Sequence, residues 1–293
     1  MDTDNKKRTN PWIEAMRLRT LPVSLAGVTM AAALSLSFPK VKVIPLILCL
    51  LFALLAQIAS NFANEYYDYR DGLDKPGRVG PRRGVSEGDI TPRAMKRATF
   101  LTLALACADG LMLVPYGGWW LILAGIAIAA GVLAYSTGPY PFSRHALGEA
   151  AVVFYFGIIP VNLTCRIAAG EYSMTVFLAS VAIGLMGANV IIVNNYRDME
   201  ADREVGKKTL PQILGARGTQ ILYLLNAVTA AVLLLPFASE DARLYIPIAF
   251  YLCLTLPLWI MLLRKRGRAL NPLLGKTAVT MFLTSLLFLG FML

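Results

Sequence analysis

The sequence predicts an all-α polytopic membrane protein with nine transmembrane helices, folded as one domain over residues 1–293. Hydrophobic residues make up 57% of the chain and charged residues only 16%, whereas soluble domains average about 45–50% and about 25%. The apolar residues form runs of about 20, which is the length a helix needs to cross the hydrocarbon layer. The basic residues concentrate on alternate connections between these runs.

Each predicted span is one uninterrupted apolar run. Backbone groups in lipid need internal hydrogen-bond partners, so such runs are expected to be helices, and β-barrel strands would be shorter and alternating. The nine spans cover residues 21–38, 43–63, 97–115, 118–136, 148–168, 173–193, 218–237, 244–263 and 271–292.

The charge distribution predicts the orientation in the membrane. Of 28 basic residues, only Lys40, Lys42, Arg166 and Arg243 lie on the odd-numbered connections, and the other 24 lie at the N-terminus and on the even-numbered ones. Basic residues favour the cytoplasmic side, so the N-terminus is expected in the cytoplasm and the C-terminus outside. This sorting accounts for the net charge of +10 and argues against nucleic-acid binding.

The N-terminal segment, residues 1–20, precedes the first span. Within it, residues 10–19 are expected to form a short amphipathic helix on the cytoplasmic surface. Asn10 suits the cap of this helix and Pro11 its first position, and Trp12 is expected to anchor it at the membrane interface. The first apolar run is too long for a cleavable signal peptide.

Two long cytoplasmic connections, residues 64–96 and 194–217, carry acidic motifs. In the first, four polar residues are spaced i, i+3, i+4 and i+7, which places them on one helical face: Asn61, Asn64, Glu65 and Asp68. Gly72 is expected to end that helix and to leave Asp74 in the loop.

The second motif repeats this spacing in part, since Asn195, Asp198 and Asp202 follow at i, i+3 and i+7. The two stretches together hold eight of the eighteen acidic residues. Carboxylates clustered at the ends of apolar helices are costly, because burial and mutual repulsion oppose ionisation. The pattern therefore predicts a bound cation.

Oxygen ligands favour Mg²⁺, which takes one or two protein carboxylates and completes its shell with water and substrate phosphate. Basic residues that can hold phosphate oxygens lie on the same two connections: Arg78, Arg82, Arg83, Arg203, Lys207 and Lys208. Acidic motifs, a metal and a basic shell together indicate a diphosphate substrate.

These motifs resemble the UbiA superfamily of intramembrane prenyltransferases, and most closely the 1,4-dihydroxy-2-naphthoate polyprenyltransferases of menaquinone synthesis. The likeness extends over most of the chain and rests on five segments: Arg17–Pro22, Asn61–Asp74, Gly138–Pro141 with the following Gly148-Glu149, Asn195–Leu210, and Asn271–Leu274. One departure is Glu65, where relatives usually carry Asp.

The resemblance implies a UbiA-type helical bundle in the inner (cytoplasmic) membrane of the cell, with its active site expected at the cytoplasmic face. A polyprenyl diphosphate would be held through Mg²⁺ by both motifs, with its tail among the apolar helices. Transfer to 1,4-dihydroxy-2-naphthoate, with loss of CO₂ and diphosphate, would give demethylmenaquinone. Membrane lipids are the other expected partners.

The resemblance also implies roles for individual residues. Asp68 and Asp198 are the first candidates for Mg²⁺ ligands, followed by Asn64, Glu65, Asp74 and Asp202. Asn64 and Asn195 are alternatively expected to position the diphosphate, with Lys207, Arg203 and Arg78. Catalysis is assigned to Asp68, Asp198, Asp202 and Lys207. The aromatic acceptor is expected at Arg19, Arg144 or Tyr140.

Two alternatives stay open at this point. The first alternative keeps the enzyme class and changes the acceptor to another aromatic acid, 4-hydroxybenzoate or homogentisate. From another class, a cation-coupled transporter would also use intramembrane carboxylates, but near the bilayer midplane. The motifs do not assign a role to His145 or Asp109. Four isolated cysteines predict neither a zinc site nor a disulfide.

Overall fold

The computed structural model describes residues 10–74, 77, 79–239 and 241–293. The thirteen α-helices, numbered in chain order, are α1 (Pro11–Met16), α2 (Leu21–Ser35), α3 (Val43–Arg70), α4 (Pro92–Leu111), α5 (Val114–Gly117), α6 (Trp120–Ala134), α7 (Gly148–Val152), α8 (Ile159–Ala168), α9 (Met174–Arg197), α10 (Met199–Glu204), α11 (Leu210–Ala238), α12 (Tyr245–Arg264) and α13 (Asn271–Met292). A π-helical turn, Val153–Ile158, joins α7 to α8.

The all-α prediction is confirmed, and the described residues place a helix in each of the nine predicted apolar runs. Seven helical segments in this part of the chain are long and apolar enough to cross a membrane. The remaining two, α2 and α6, have 15 residues each and are shorter than the about 20 residues that a span needs. The count of nine crossings therefore stays a prediction.

Helices α2 and α9 form the centre of the bundle. Helix α9 packs on α2, α7, α8, α11 and α13, while α2 also packs on α3 and α8. The main core is built from small and aliphatic residues of these helices, among them Ala26, Ile183 and Leu234, all with at most 2% exposure. Helices α3, α4 and α6 pack together at the side of this core.

The backbone of the π-helical turn lies very close to α2 and α9. Pro160 has no N–H, so the carbonyl of Phe156 loses its usual helical donor. That carbonyl faces Gly27 of α2, where a Cβ would lie 2.7 Å from its oxygen. On the other side, the turn packs against Gly184 of α9. The wide turn and these small residues let three helical segments approach closely.

The N-terminal helix is shorter than predicted. Asn10 caps it as expected, accepting a hydrogen bond from the Trp12 N–H at 2.9 Å, but the helix ends at Met16. Arg17 ends it in the left-handed conformation (φ 53°). Trp12 stacks edge-on against Phe62 of α3, with ring centroids 5.8 Å apart. Helix α1 therefore packs on the bundle beside the first acidic motif.

Candidate active site

The first acidic motif lies on the last two turns of α3 and faces the protein interior. Asn64, Glu65 and Asp68 are 7%, 1% and 2% exposed. The helix ends as predicted, because Gly72 adopts the left-handed conformation (φ 71°) and the N–H of Leu73 donates to the carbonyl of Asp68 at 2.8 Å. Burying these carboxylates is unfavourable without compensating cations or donors.

Asn64 is the centre of a hydrogen-bonded cluster. Its amide nitrogen donates to Asp68 Oδ2 at 2.9 Å and to Ser136 Oγ at 3.2 Å. Its oxygen accepts from Arg17 Nη2 at 2.5 Å and from Arg83 Nη2 at 3.2 Å. The side chain therefore orients one carboxylate and two guanidinium groups.

Arg83 connects the loop after α3 to the motif. Its Nε lies 3.1 Å from Asp74 Oδ2, and its Nη1 lies 4.0 Å from Glu65 Oε2. The other oxygen of Glu65 accepts a hydrogen bond from the N–H of Val85 at 3.1 Å. Glu65 and Asp74 are thus held together with a loop arginine, which places both at the edge of the acidic cluster.

The second motif lies where α9 ends. Asp198 is the residue between α9 and α10, so the predicted continuous helical face is broken there, although Asn195, Asp198 and Asp202 are all buried. Arg197 donates to both carboxylate oxygens of Asp198, at 2.8 and 2.7 Å. Lys207 Nζ lies 3.5 Å from Asp202 Oδ1.

Arg144 connects the two motifs. Its guanidinium lies 3.6 Å from Asp68 Oδ1 and donates to Asp71 Oδ2 at 2.7 Å. Its backbone carbonyl accepts a hydrogen bond from the N–H of Lys208, the residue after Lys207, at 3.1 Å. Hydrogen bonds from Arg70 and then from Arg144 lower the pKa of the Asp71 carboxyl. A single residue thus contacts the first motif with its side chain and the second with its backbone.

Two further residues lie between the motifs. Tyr135 precedes Ser136, which accepts a hydrogen bond from Asn64 of the first motif. The Tyr135 hydroxyl and Asn195 Nδ2 of the second motif both lie within 4 Å of the position that a Cβ on Gly148 would take. Asn271, at the start of α13, accepts from Arg197 Nη1 at 3.1 Å and donates to the carbonyl of Val79 in the first loop at 3.4 Å. The convergence on which the diphosphate hypothesis depends is therefore supported by several independent contacts.

Other predicted residues are placed less centrally. Arg19 and Arg203 are exposed, and Tyr140 is 57% exposed and stacks on His145 with ring centroids 3.7 Å apart. Their assigned roles stay predictions. Arg78 lies outside the described residues.

Arg17 is the site residue that the sequence interpretation missed in favour of Arg19. The left-handed conformation that ends α1 turns Arg17 toward Asn64, whereas Arg19 is exposed. No spacing rule identifies which of two nearby arginines faces inward when a helix ends between Trp12 and Leu21. Its charge lies next to Glu65 as well.

We expect Arg17→Gln to lower kcat/KM for the prenyl diphosphate by about 100-fold, the scale of one lost charged donor. Glutamine is shorter and uncharged, so the variant removes the charged donor from Asn64. Arg19→Gln is the matched control and is expected to change kcat/KM by less than about threefold, because an exposed charge contributes little. A larger loss from Arg19→Gln than from Arg17→Gln would reverse this assignment.

The residues present suit Mg²⁺. Asp68 Oδ1 and Glu65 Oε2 are buried and accept no hydrogen bond from the described residues, and their oxygens are the donors that Mg²⁺ prefers. Over the same part of the chain, no group of three or more His, Cys, Asp or Glu side chains is arranged to hold a metal by itself.

A large apolar cavity lies beneath this polar cluster. It has a volume of about 380 Å³ and is lined by α2, α3, α4, α6 and the α7–α8 segment, with Phe52, Tyr155 and Leu163 among its walls. Tyr135 lies on its wall and also near the motif carboxylates. The cavity therefore joins the acidic site at this residue.

Comparisons with known proteins agree with this architecture. The UbiA prenyltransferase family matches residues 20–286. A 1,4-dihydroxy-2-naphthoate octaprenyltransferase of Escherichia coli (strain K12) is 34% identical over 96% of this chain and 94% of its own length. The human UbiA prenyltransferase domain-containing protein 1 is 29% identical over 93% of this chain and 80% of its own.

A solved structure has the same fold. A UbiA homolog from Archaeoglobus fulgidus bound to DMAPP and Mg²⁺ superposes with a TM-score of 0.69 over 95% of this chain and 99% of that one, at 16% identity.

Proposed function

The chain belongs to the UbiA prenyltransferase family, and from this premise we propose that it transfers a polyprenyl group from polyprenyl diphosphate to 1,4-dihydroxy-2-naphthoate. Diphosphate and CO₂ leave, and the product is the precursor of menaquinone that still lacks its ring methyl group. Relatives with 30–34% identity in two bacteria, covering 94% or more of this chain, carry this activity in their names.

The observation that carries the proposal is the convergence of two acidic motifs and their arginines above one apolar cavity. The side chain of Arg144 lies near Asp68, and its backbone carbonyl accepts a hydrogen bond from the N–H of Lys208, the residue after Lys207. Tyr135 is common to the polar site and the cavity. A polyprenyl diphosphate has the same division into a charged head and a long apolar tail.

Asp68 and Asp198 are the proposed Mg²⁺ ligands, with Asn64, Glu65, Asp74 and Asp202 as further candidates. Bound there, Mg²⁺ supplies positive charge that stabilises the departing diphosphate. Arg17 contacts Asn64, Arg83 lies near Glu65, and Lys207 lies near Asp202. These three cationic side chains are proposed to hold phosphate oxygens. These donors stabilise charge as the allylic C–O bond breaks.

The apolar cavity is proposed to hold the isoprenoid nearest the diphosphate. Its walls are almost entirely hydrocarbon, and Tyr135, Tyr155 and Phe156 add aromatic faces. Such faces stabilise a nearby cation, here the allylic cation formed when the diphosphate leaves. Excluding water from this space also prevents hydrolysis of that cation.

The site is proposed to lie at the cytoplasmic face of the inner membrane. It is built from the ends of α3 and α9 and from the connections that carry most of the basic residues. The positive-inside rule puts these on the cytoplasmic side. A soluble aromatic acid would reach the site from the same side.

The test incubates purified protein in lipid vesicles with labelled polyprenyl diphosphate and one aromatic acid at a time, with and without Mg²⁺. We expect naphthoate-dependent prenylation and CO₂ release that stop when EDTA removes the metal. The parallel reactions contain 4-hydroxybenzoate or homogentisate. Turnover with one of these and none with the naphthoate contradicts the proposed acceptor, and full turnover in EDTA contradicts the metal requirement.

A further inference from the structure

Glu149 is a buried acid at this site that the metal and diphosphate assignments leave unused. It lies in the first turn of α7 and is 7% exposed. Its Oε1 accepts a hydrogen bond from Asn195 Nδ2 at 2.9 Å. Its Oε2 is buried and accepts no hydrogen bond from the described residues. One oxygen is therefore oriented, and the other is left for a ligand or a proton.

The surroundings of Glu149 place it where the cavity meets the polar site. A Cβ built on the preceding Gly148 would lie 3.7 Å from the Tyr135 hydroxyl and 3.9 Å from Asn195 Nδ2. The Tyr135 hydroxyl and Asn195 Nδ2 therefore both lie beside the start of α7, where Glu149 follows Gly148.

The neighbouring charged groups are already engaged elsewhere. In the connection before α7, Arg144 is directed to Asp68 and Asp71, and His145 stacks on Tyr140. From α9, the polar contact with Glu149 comes from the uncharged Asn195. No cationic side chain among the described residues hydrogen-bonds Glu149, so its Oε2 is left as an acceptor for a ligand or a proton.

We infer that Glu149 is the general base that takes the ring hydroxyl proton of the aromatic acceptor. The inference rests on the proposed function. The acceptor lies between Tyr135 and Glu149, with its reacting carbon toward the cavity and the prenyl C1 atom. Asn195 holds Oε1, so that Oε2 faces the hydroxyl.

The proton and electron balance of the step is complete without an added oxidant. As the ring carbon that carries the carboxylate bonds to prenyl C1, the bond from C1 to diphosphate breaks and its electron pair leaves with the diphosphate. The adjacent ring hydroxyl becomes a carbonyl and its proton moves to Glu149 Oε2. Loss of CO₂ then returns an electron pair to the ring, and Glu149 gives its proton back to the ring oxygen.

The test is Glu149→Gln, which keeps the size of the side chain and an oxygen for Asn195 but cannot accept a proton. We expect kcat with 1,4-dihydroxy-2-naphthoate to fall about 100-fold, the usual scale for a lost general base. The KM values for both substrates should change less than about threefold. The decline of wild-type kcat toward low pH should be absent in the variant.

An acceptor with a more acidic hydroxyl is expected to rescue the variant. A halogenated 1,4-dihydroxy-2-naphthoate needs less help to lose its proton, so it should recover a larger share of kcat in Glu149→Gln than in the wild type. Glu149→Asp should keep the low-pH decline. Glu171→Gln, the same change at an exposed position after α8, is the control and should behave as wild type.

The outcomes separate this inference from the proposed function. Wild-type protein that does not prenylate the naphthoate contradicts the proposed function. Wild-type turnover combined with an unchanged kcat and pH profile in Glu149→Gln overturns the role of Glu149 alone. A loss seen only in the KM for prenyl diphosphate also overturns it, since that result indicates a diphosphate-binding role. Mg²⁺-dependent binding of a prenyl diphosphate analogue shows that the variant is folded.

Discussion

Replacing Asp68 with Asn is expected to lower kcat by about 1,000-fold, at the upper end of what one charge-stabilising group contributes. Asp68 is 2% exposed, and its Oδ1 faces the site without a hydrogen bond from the described residues. Oδ2 is held by Asn64 at 2.9 Å. The substitution keeps the shape of the side chain and removes the negative charge that the metal assignment requires.

The same variant is expected to be at least as stable as the wild type without ligands. Removing one of several clustered acids relieves repulsion and the cost of burying a charge. Opposite effects on activity and stability are characteristic of a binding site, since loss of a structural carboxylate lowers both. Arg144, which lies 3.6 Å from Asp68 Oδ1, keeps its hydrogen bonds to Asp71 and to the carbonyl of Ser136. Asp198 is a less direct probe, because both of its oxygens accept hydrogen bonds from the buried Arg197.

The measurement combines single-turnover kinetics with thermal unfolding in detergent. Mg²⁺ and a non-hydrolysable prenyl diphosphate analogue should raise the Tm of the wild type, as expected for ligands that bind only the folded state, and not that of Asp68→Asn. Asp89→Asn is the control, because Asp89 lies in the loop that follows the same motif but is exposed and pairs with Arg82. If the turnover rate of Asp68→Asn equals that of the wild type, Asp68 is not a ligand of the metal.

Much of this architecture follows from local rules. Apolar run length predicts the positions of the long helices. The i, i+3, i+4, i+7 spacing of Asn61, Asn64, Glu65 and Asp68 predicts that they share the buried face of α3. The left-handed preference of Gly72 predicts where that helix ends. Each of these features depends on a few residues that are neighbours in the chain, so a single sequence is enough to predict it.

The remaining features depend on contacts between distant segments. Arg144 and Asn271 form hydrogen bonds with residues more than 60 positions away. The sequence identifies both residues as candidates, but no local pattern predicts these contacts. Which of Arg17 and Arg19 faces the site is decided by the backbone conformation at the end of α1, and a local pattern does not predict it. The break at Asp198 and the π-helical turn before Pro160 both interrupt patterns that, in sequence, look like continuous helix.

Replacing Gly184 with Ala is expected to have the largest effect on folding. A Cβ on Gly184 would lie 2.7 Å from the carbonyl oxygen of Val153 and 2.8 Å from its Cα. Both are backbone atoms of the π-helical turn, so no side-chain rotation relieves the contact. The expected destabilisation is about 3 kcal/mol, the upper part of the range for overpacking, which corresponds to a Tm lower by roughly 10 °C.

The effect should extend to the active site. Helix α9 carries Asn195 and leads into Asp198, while the turn that Gly184 contacts carries Tyr155 and Phe156 on the cavity wall. Separating α9 from this turn changes the position of the second motif relative to the cavity. Residual folded Gly184→Ala protein is therefore expected to show a raised KM for prenyl diphosphate as well as a lower Tm.

The matched control is Gly275→Ala in α13, where a Cβ would meet no atom within 4 Å. Alanine in a helix is favoured over glycine by roughly 0.5–1 kcal/mol, so the Tm of this variant should equal or exceed that of the wild type. Unfolding of both variants is followed in the same detergent, with the tryptophan signal as probe. An equal Tm for Gly184→Ala and wild type would mean that α9 and the turn can separate freely, and that their close approach does not hold the second motif against the cavity.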